Sequence, residues 1–89
     1  MVRTRKPLKR LEPKFQLVDV KWVDSTTIQS WERPGNLTSG VPVTLESKGV
    51  LSAWNDDCIV VSAAHNPENH EVCSSIAIPL GCIKSIKEI

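Results

Sequence analysis

An all-β fold, a small five-stranded barrel carried behind a basic N-terminal arm, is what this sequence predicts. Apolar and polar residues alternate in short runs, as where Val18, Val20 and Trp22 interleave with Asp19 and Lys21, the period-two pattern of a half-buried strand. Turn-forming clusters such as Pro34-Gly35-Asn36, Asn55-Asp56-Asp57 and Pro79-Leu80-Gly81 separate these runs. With 89 residues there is material for one core, and a core that small buries only about 60% of the surface of the unfolded chain.

The elements follow in order. Residues 1–14 hold Arg3, Arg5, Lys6, Lys9, Arg10 and Lys14 against Glu12 alone, a balance of +5, so with a net charge of +1 the remaining residues 15–89 carry −4. Pro7 and Pro13 oppose regular pairing and the segment is poor in apolar residues, which predicts an extended arm 1–14 and a domain 15–89 beginning at Phe15. Residues 15–23 read as the first strand. Residues 24–40 read as a long irregular loop, with Asp24 or Ser25 placed to cap one helical turn that Pro34 and Gly35 would stop. Residues 41–45 and 47–54 read as extended, joined or interrupted at Glu46, and Gly49 inside the pattern predicts a bend or bulge. After the Asn55-Asp56-Asp57 turn, residues 58–64 are rich in Ile59, Val60 and Val61 and predict a central strand. Residues 65–71 form a polar hairpin loop with Pro67, residues 72–78 a fourth strand, and residues 82–89 a fifth after the Pro79-Leu80-Gly81 break. Strand spacing assigns Ile59, Val61, Ile76, Ile78, Ile83 and Ile86 to the core.

Two resemblances rest on these residues. The run from Ile76 through Pro79-Leu80-Gly81 to Ile86 resembles the end of SH3-like and Sm-like barrels, where a short 3₁₀ turn links the fourth strand to the fifth. Over some 70 residues, Val20-x-Trp22-x-Asp24-Ser25, Ser47-x-Gly49-x-Leu51, Asn55-Asp56-Asp57, Ile59-Val60-Val61, Cys73 and Ile78-Pro79-x-x-Cys82-Ile83-x-x-Ile86 are similar to a group of short tailed-bacteriophage and prophage proteins. That resemblance implies a phage or prophage accessory protein in the cytoplasm of a bacterial host and carries over no activity.

Among chemistry-bearing residues, His65, His70, Cys58, Cys73 and Cys82 fall in one half of the chain, but lack the tight paired spacing of a zinc knuckle. No metal or other cofactor is expected. Three cysteines cannot close a complete disulfide framework, so a reducing compartment and thiols acting as small apolar fillers are expected. His70 precedes Cys73 by three residues without an elbow, a Gly-rich oxyanion turn or a phosphate loop. The expectation is therefore a non-enzyme, with both histidines solvated at a loop tip. The basic start has no apolar stretch of the signal-peptide kind behind it, and no run reaches the roughly 20 apolar residues of a membrane span.

Trp22 alternates with charged neighbours and is assigned to the core. Trp31 beside Glu32 and Arg33 in the long loop reads either as an amphipathic anchor for a partner or as a lid over an open barrel end, and Trp54 as rim or core. The partner-binding set is thus Trp31, Glu32, Arg33 and Trp54. Arg3, Arg5, Lys6, Lys9 and Arg10 read either as a weak, sequence-independent nucleic-acid contact confined to the arm, since the acidic domain repels phosphate, or as a solvated tail with no specific role. The leading expectation is a protein-binding module for a host or phage protein. The alternative is an Sm-like nucleic-acid or nucleotide-binding barrel, with self-association open to either.

Overall fold

The computed structural model describes residues 8–24, 31, 33–37 and 43–89. Five strands form one antiparallel sheet: β1 (Leu17–Asp24), β2 (Val43–Trp54), β3 (Cys58–His65), β4 (Val72–Pro79) and β5 (Ile83–Glu88), in the order β4-β3-β2-β1-β5. A 3₁₀ turn at Leu80–Cys82 links β4 to β5, and a second lies at Pro34–Leu37. Strands β4 and β5 are the two edges, so hydrogen bonding does not close the sheet, and the expected barrel is an open sheet. It is not flat. Four strand spacings of about 4.8 Å would hold β4 and β5 some 19 Å apart, yet Ile78 of β4 and Ile83 of β5 belong to one buried cluster.

That cluster is Val18, Val20 and Trp22 of β1, Leu51 and Trp54 of β2, Ile59 and Val61 of β3, Ile78 and Ile83. The alternation in β1 does what period two requires: Val18, Val20 and Trp22 lie on the core face. Trp22 also keeps its indole N–H satisfied, donating from Nε1 to Ser47 Oγ at 3.0 Å. Strand β2 runs unbroken through Glu46 in register with β1 from Asp24↔Val43 to Leu17↔Val50.

Two irregularities decide which side chains face inward. Between Leu51 and Ala53 the β2–β3 register shifts, making Ser52 an extra residue, so Trp54 pairs with Ile59 on the same face that Leu51 shares with Val61. Trp54 is consequently a core residue, which resolves its rim-or-core assignment. In β5 the register shifts against Lys21 and Trp22, leaving Lys84 as the extra residue, so Ile83 meets Trp22 while Ile86, three residues on, meets Val20. Both thereby face the core, Ile83 buried and Ile86 half-buried. The expected irregularity at Gly49 takes another form. Its position is a close approach, where a Cβ would lie 2.6 Å from the Ser62 carbonyl oxygen and 2.8 Å from Val61 Cγ1.

Two expectations are corrected. Ile76 shares the face of Ile78 but is 38% exposed, because alternation fixes a face and not how far the covering strand reaches over it. The described part of the arm is not free of the sheet either. Leu8 and Leu11 pack against the core, Arg10 Nη2 donates to the Trp54 carbonyl at 3.0 Å, and the Phe15 N–H donates to the Leu51 carbonyl at 3.2 Å. Gln16 Nε2 donates to the Glu12 carbonyl at 2.8 Å, closing a turn over residues 12–16.

Asparagines shape both hairpins. Asn55 Oδ1 accepts from the Asp57 and Cys58 N–H groups at 2.8 and 2.9 Å, and Asn66 and Asn69 accept at 3.0 Å from the N–H groups of Glu68 and Glu71. A side-chain oxygen that replaces a backbone acceptor is why this residue type recurs in turns.

Candidate functional site

The loop between β1 and β2 is closed at its base by the Asp24↔Val43 pair. Beyond it Trp31 is fully exposed, at 102% of its reference surface, so it does not fold back as a lid. Arg33 is exposed beside the 3₁₀ turn at Pro34–Leu37. Glu32, the third member of the expected cluster, lies outside the described residues, as does the helical turn expected after Ser25. Trp54, buried in the core, is not part of this surface.

Of the cationic arm, Arg3, Arg5 and Lys6 lie outside the described residues. Lys9 and Arg10 are exposed, but the Arg10 guanidinium is tied to the Trp54 carbonyl, which makes it a tether between the N-terminal segment and β2 as well as a cation.

A cluster that the sequence did not reveal sits at the far end of β3. His65 Nε2 and His70 Nδ1 are 3.1 Å apart, with one imidazole donating to the other, and the two rings are within 14° of parallel. Phe15 lies over both, its ring 4.1 Å from His65 and 4.9 Å from His70 between centroids. The histidines are therefore not a freely solvated pair at a loop tip. Phe15 and His70 both occupy the left-handed region, with φ of 59° and 60°, a conformation that costs a residue with a side chain on the order of 1 to 3 kcal/mol. The stack joins the start of the sheet to the β3–β4 loop, and a cleft of about 300 Å³ opens beside it, lined by Ala64, His65, Asn66, Glu71, Val72 and Cys73. The only hint in the sequence was the pair of histidines flanking Asn66 to Asn69. Nothing local marks Phe15 as their partner.

The thiols of Cys58 and Cys82 are half-buried, as apolar fillers would be, but Cys73 is exposed on β4, which corrects that expectation for one of the three. Among the described residues no three His, Cys, Asp or Glu side chains gather to hold a metal ion, and no helix is long and apolar enough to cross a membrane.

One buried carboxylate also stands out. Asp19 is 6% exposed, its Oδ1 has no hydrogen-bond partner, and its cross-strand neighbours are Lys48 on β2 and Lys87 on β5. Lysines thus occupy the cross-strand positions on both flanking strands, although the Lys48 ammonium lies against Glu46, 3.8 Å from its Oε1. Comparison with known proteins gives no matching family model, no matching curated protein and no matching solved structure.

Proposed function

We propose that this chain is a non-enzymatic protein-binding module that holds a partner through the loop between β1 and β2. The observation that carries the reading is Trp31, an indole presented wholly to solvent from a loop whose base the β1–β2 ladder fixes. A large amphipathic ring of this kind gains much from burial in a partner's pocket and loses little side-chain entropy in doing so, which is why Trp and Arg dominate interface hot spots. Exposed Arg33 supplies a planar cation for a carboxylate at the edge of that contact.

The scaffold reads as a small SH3-like or Sm-like barrel, supported by the strand order and by the 3₁₀ turn before β5. The phage-like residue pattern from Val20 onward supports an accessory role in the cytoplasm of a bacterial host, with a host or phage protein as partner. The test is recovery of partners from a bacterial lysate treated with nuclease, with the full chain and with Trp31→Ala. The expected result is one nuclease-resistant protein whose affinity falls by about 30-fold in the variant, the effect of losing a hot spot of about 2 kcal/mol. Equal recovery by both chains would refute the role of Trp31, and recovery that nuclease abolishes would favour a nucleic-acid-binding barrel.

A further inference from the structure

The two edges of the sheet differ in chemistry. Strand β5, Ile83–Glu88, carries Lys84, Lys87 and Glu88, and charged side chains along an edge are the ordinary means by which a soluble sheet resists addition of another strand. Strand β4, Val72–Pro79, has the sequence VCSSIAIP, with no charged residue in eight. Five consecutive residues of it, Cys73 to Ala77, are exposed. Among the described residues no strand pairs with its outer side.

From this contrast we infer that β4 is a self-association edge, at which a second copy of this chain adds its own β4 antiparallel to form a two-fold dimer. The occupant follows from the charge pattern. Charges on an edge disfavour strand addition, so an uncharged edge pairs most readily with another uncharged edge, and among the described strands at the edges of this sheet that is β4 itself. Self-pairing there places no like charges opposite one another. It also keeps the core faces of both copies on the same side of a continuous sheet, so exposed Ile76 meets the second copy's Ile76 or Ile78 and is covered.

The pairing is short. Ser74, with φ of 54°, interrupts the ladder, and the Ala63 and Ser74 positions are missing from the β3–β4 register. Pro79 offers no N–H. Residues 75–78 remain as the continuous stretch, which makes a dimer that forms at high concentration and dissociates on dilution. This inference stands apart from the role of Trp31, which lies on the loop between β1 and β2.

Sedimentation equilibrium of the full chain, from micromolar to about 1 mM concentration, decides it alongside Ile76→Lys and Ala77→Lys. Ala77 lies on the face opposite Ile78, so a lysine there leaves the core untouched, whereas Ile76 is 38% exposed on the core face and its variant carries some loss of stability; in a two-fold interface each added charge appears twice. The expected result is a monomer–dimer equilibrium in the wild type, weakened about tenfold or more in both variants while cooperative melting is retained. Should a variant fail to fold, amide exchange of residues 75–78 in the wild type replaces it, and protection that rises with concentration is expected. A wild type that is monomeric throughout, a dimer indifferent to both lysines, exchange independent of concentration, or a closed ring of three or more copies would each overturn the proposal.

Discussion

Replacing Gly49 by Ala is the sharpest test of how closely β2 and β3 pack against each other. The added Cβ would sit 2.6 Å from the Ser62 carbonyl oxygen, 2.8 Å from Val61 Cγ1 and 3.3 Å from the Ser62 carbonyl carbon. Carbon approaches a carbonyl oxygen comfortably only to about 3.3 Å, so β2 and β3 must separate by about 0.7 Å beside the Val50↔Ser62 pair. Overpacking of this kind costs about 1 to 3 kcal/mol. Ala gains back about 0.5 to 1 kcal/mol because the unfolded chain is less free than with Gly. With backbone as the nearest obstacle the cost lies in the upper half of that range, about 2 to 3 kcal/mol, so the expected net loss is about 1 to 2.5 kcal/mol, or a fall in Tm of roughly 5 to 20 °C for a domain this small. Urea unfolding of four chains, the wild type, Gly49→Ala, Val61→Ala and the double variant, separates the causes. Because the closest obstacle is backbone, adding Gly49→Ala to Val61→Ala should still destabilise. A Gly49→Ala variant as stable as the wild type would refute the close approach, and a double variant no weaker than Val61→Ala alone would assign the obstruction to the valine side chain.

Ile78→Ala should cost about 2 to 5 kcal/mol, since Ile78 is fully buried and a cavity is left behind. Ile76→Ala should cost well under half as much, and equal losses in denaturant unfolding would show that the two isoleucines are buried alike. Deleting residues 1–13 removes Leu8, Leu11 and the Arg10 tether, so the truncated chain should stay cooperative but lose about 2 kcal/mol or more relative to deletion of residues 1–7. Identical melting curves for the two truncations would show that the packed segment contributes nothing.

The local grammar of this chain is strong. Alternation at Val18, Val20 and Trp22 specified both a strand and its inward face, because a side-chain period of two depends only on neighbouring residues. Asn55, Pro67 and Pro79 marked the breaks between strands for the same reason, since turn geometry is written in a few adjacent side chains. Burial of Ile59, Val61, Ile78 and Ile83 was legible from spacing and from the scarcity of nearby charges. Exposure of Trp31 was one of two readings left open by its loop.

Tertiary structure decided what depends on residues far apart in the chain. Each bulge, at Ser52 and at Lys84, inverts the parity of every residue beyond it, and this alone turns Trp54 inward and lets Ile83 and Ile86 face one core. Neither bulge has a local signature; each is set by the strand it pairs with. A segment poor in apolar residues was expected to stay extended, but its two leucines, Leu8 and Leu11, suffice when a preformed sheet offers them a surface. Phe15 found His65 and His70 some fifty residues away, through a contact that only the pairing of distant strands creates. Sequence patterning alone thus assigned the strands, the turns and most inward faces, because those are properties of neighbouring residues. Register, the depth of each buried face and the ring stack belong to the pairing of distant segments, and only the folded sheet could supply them.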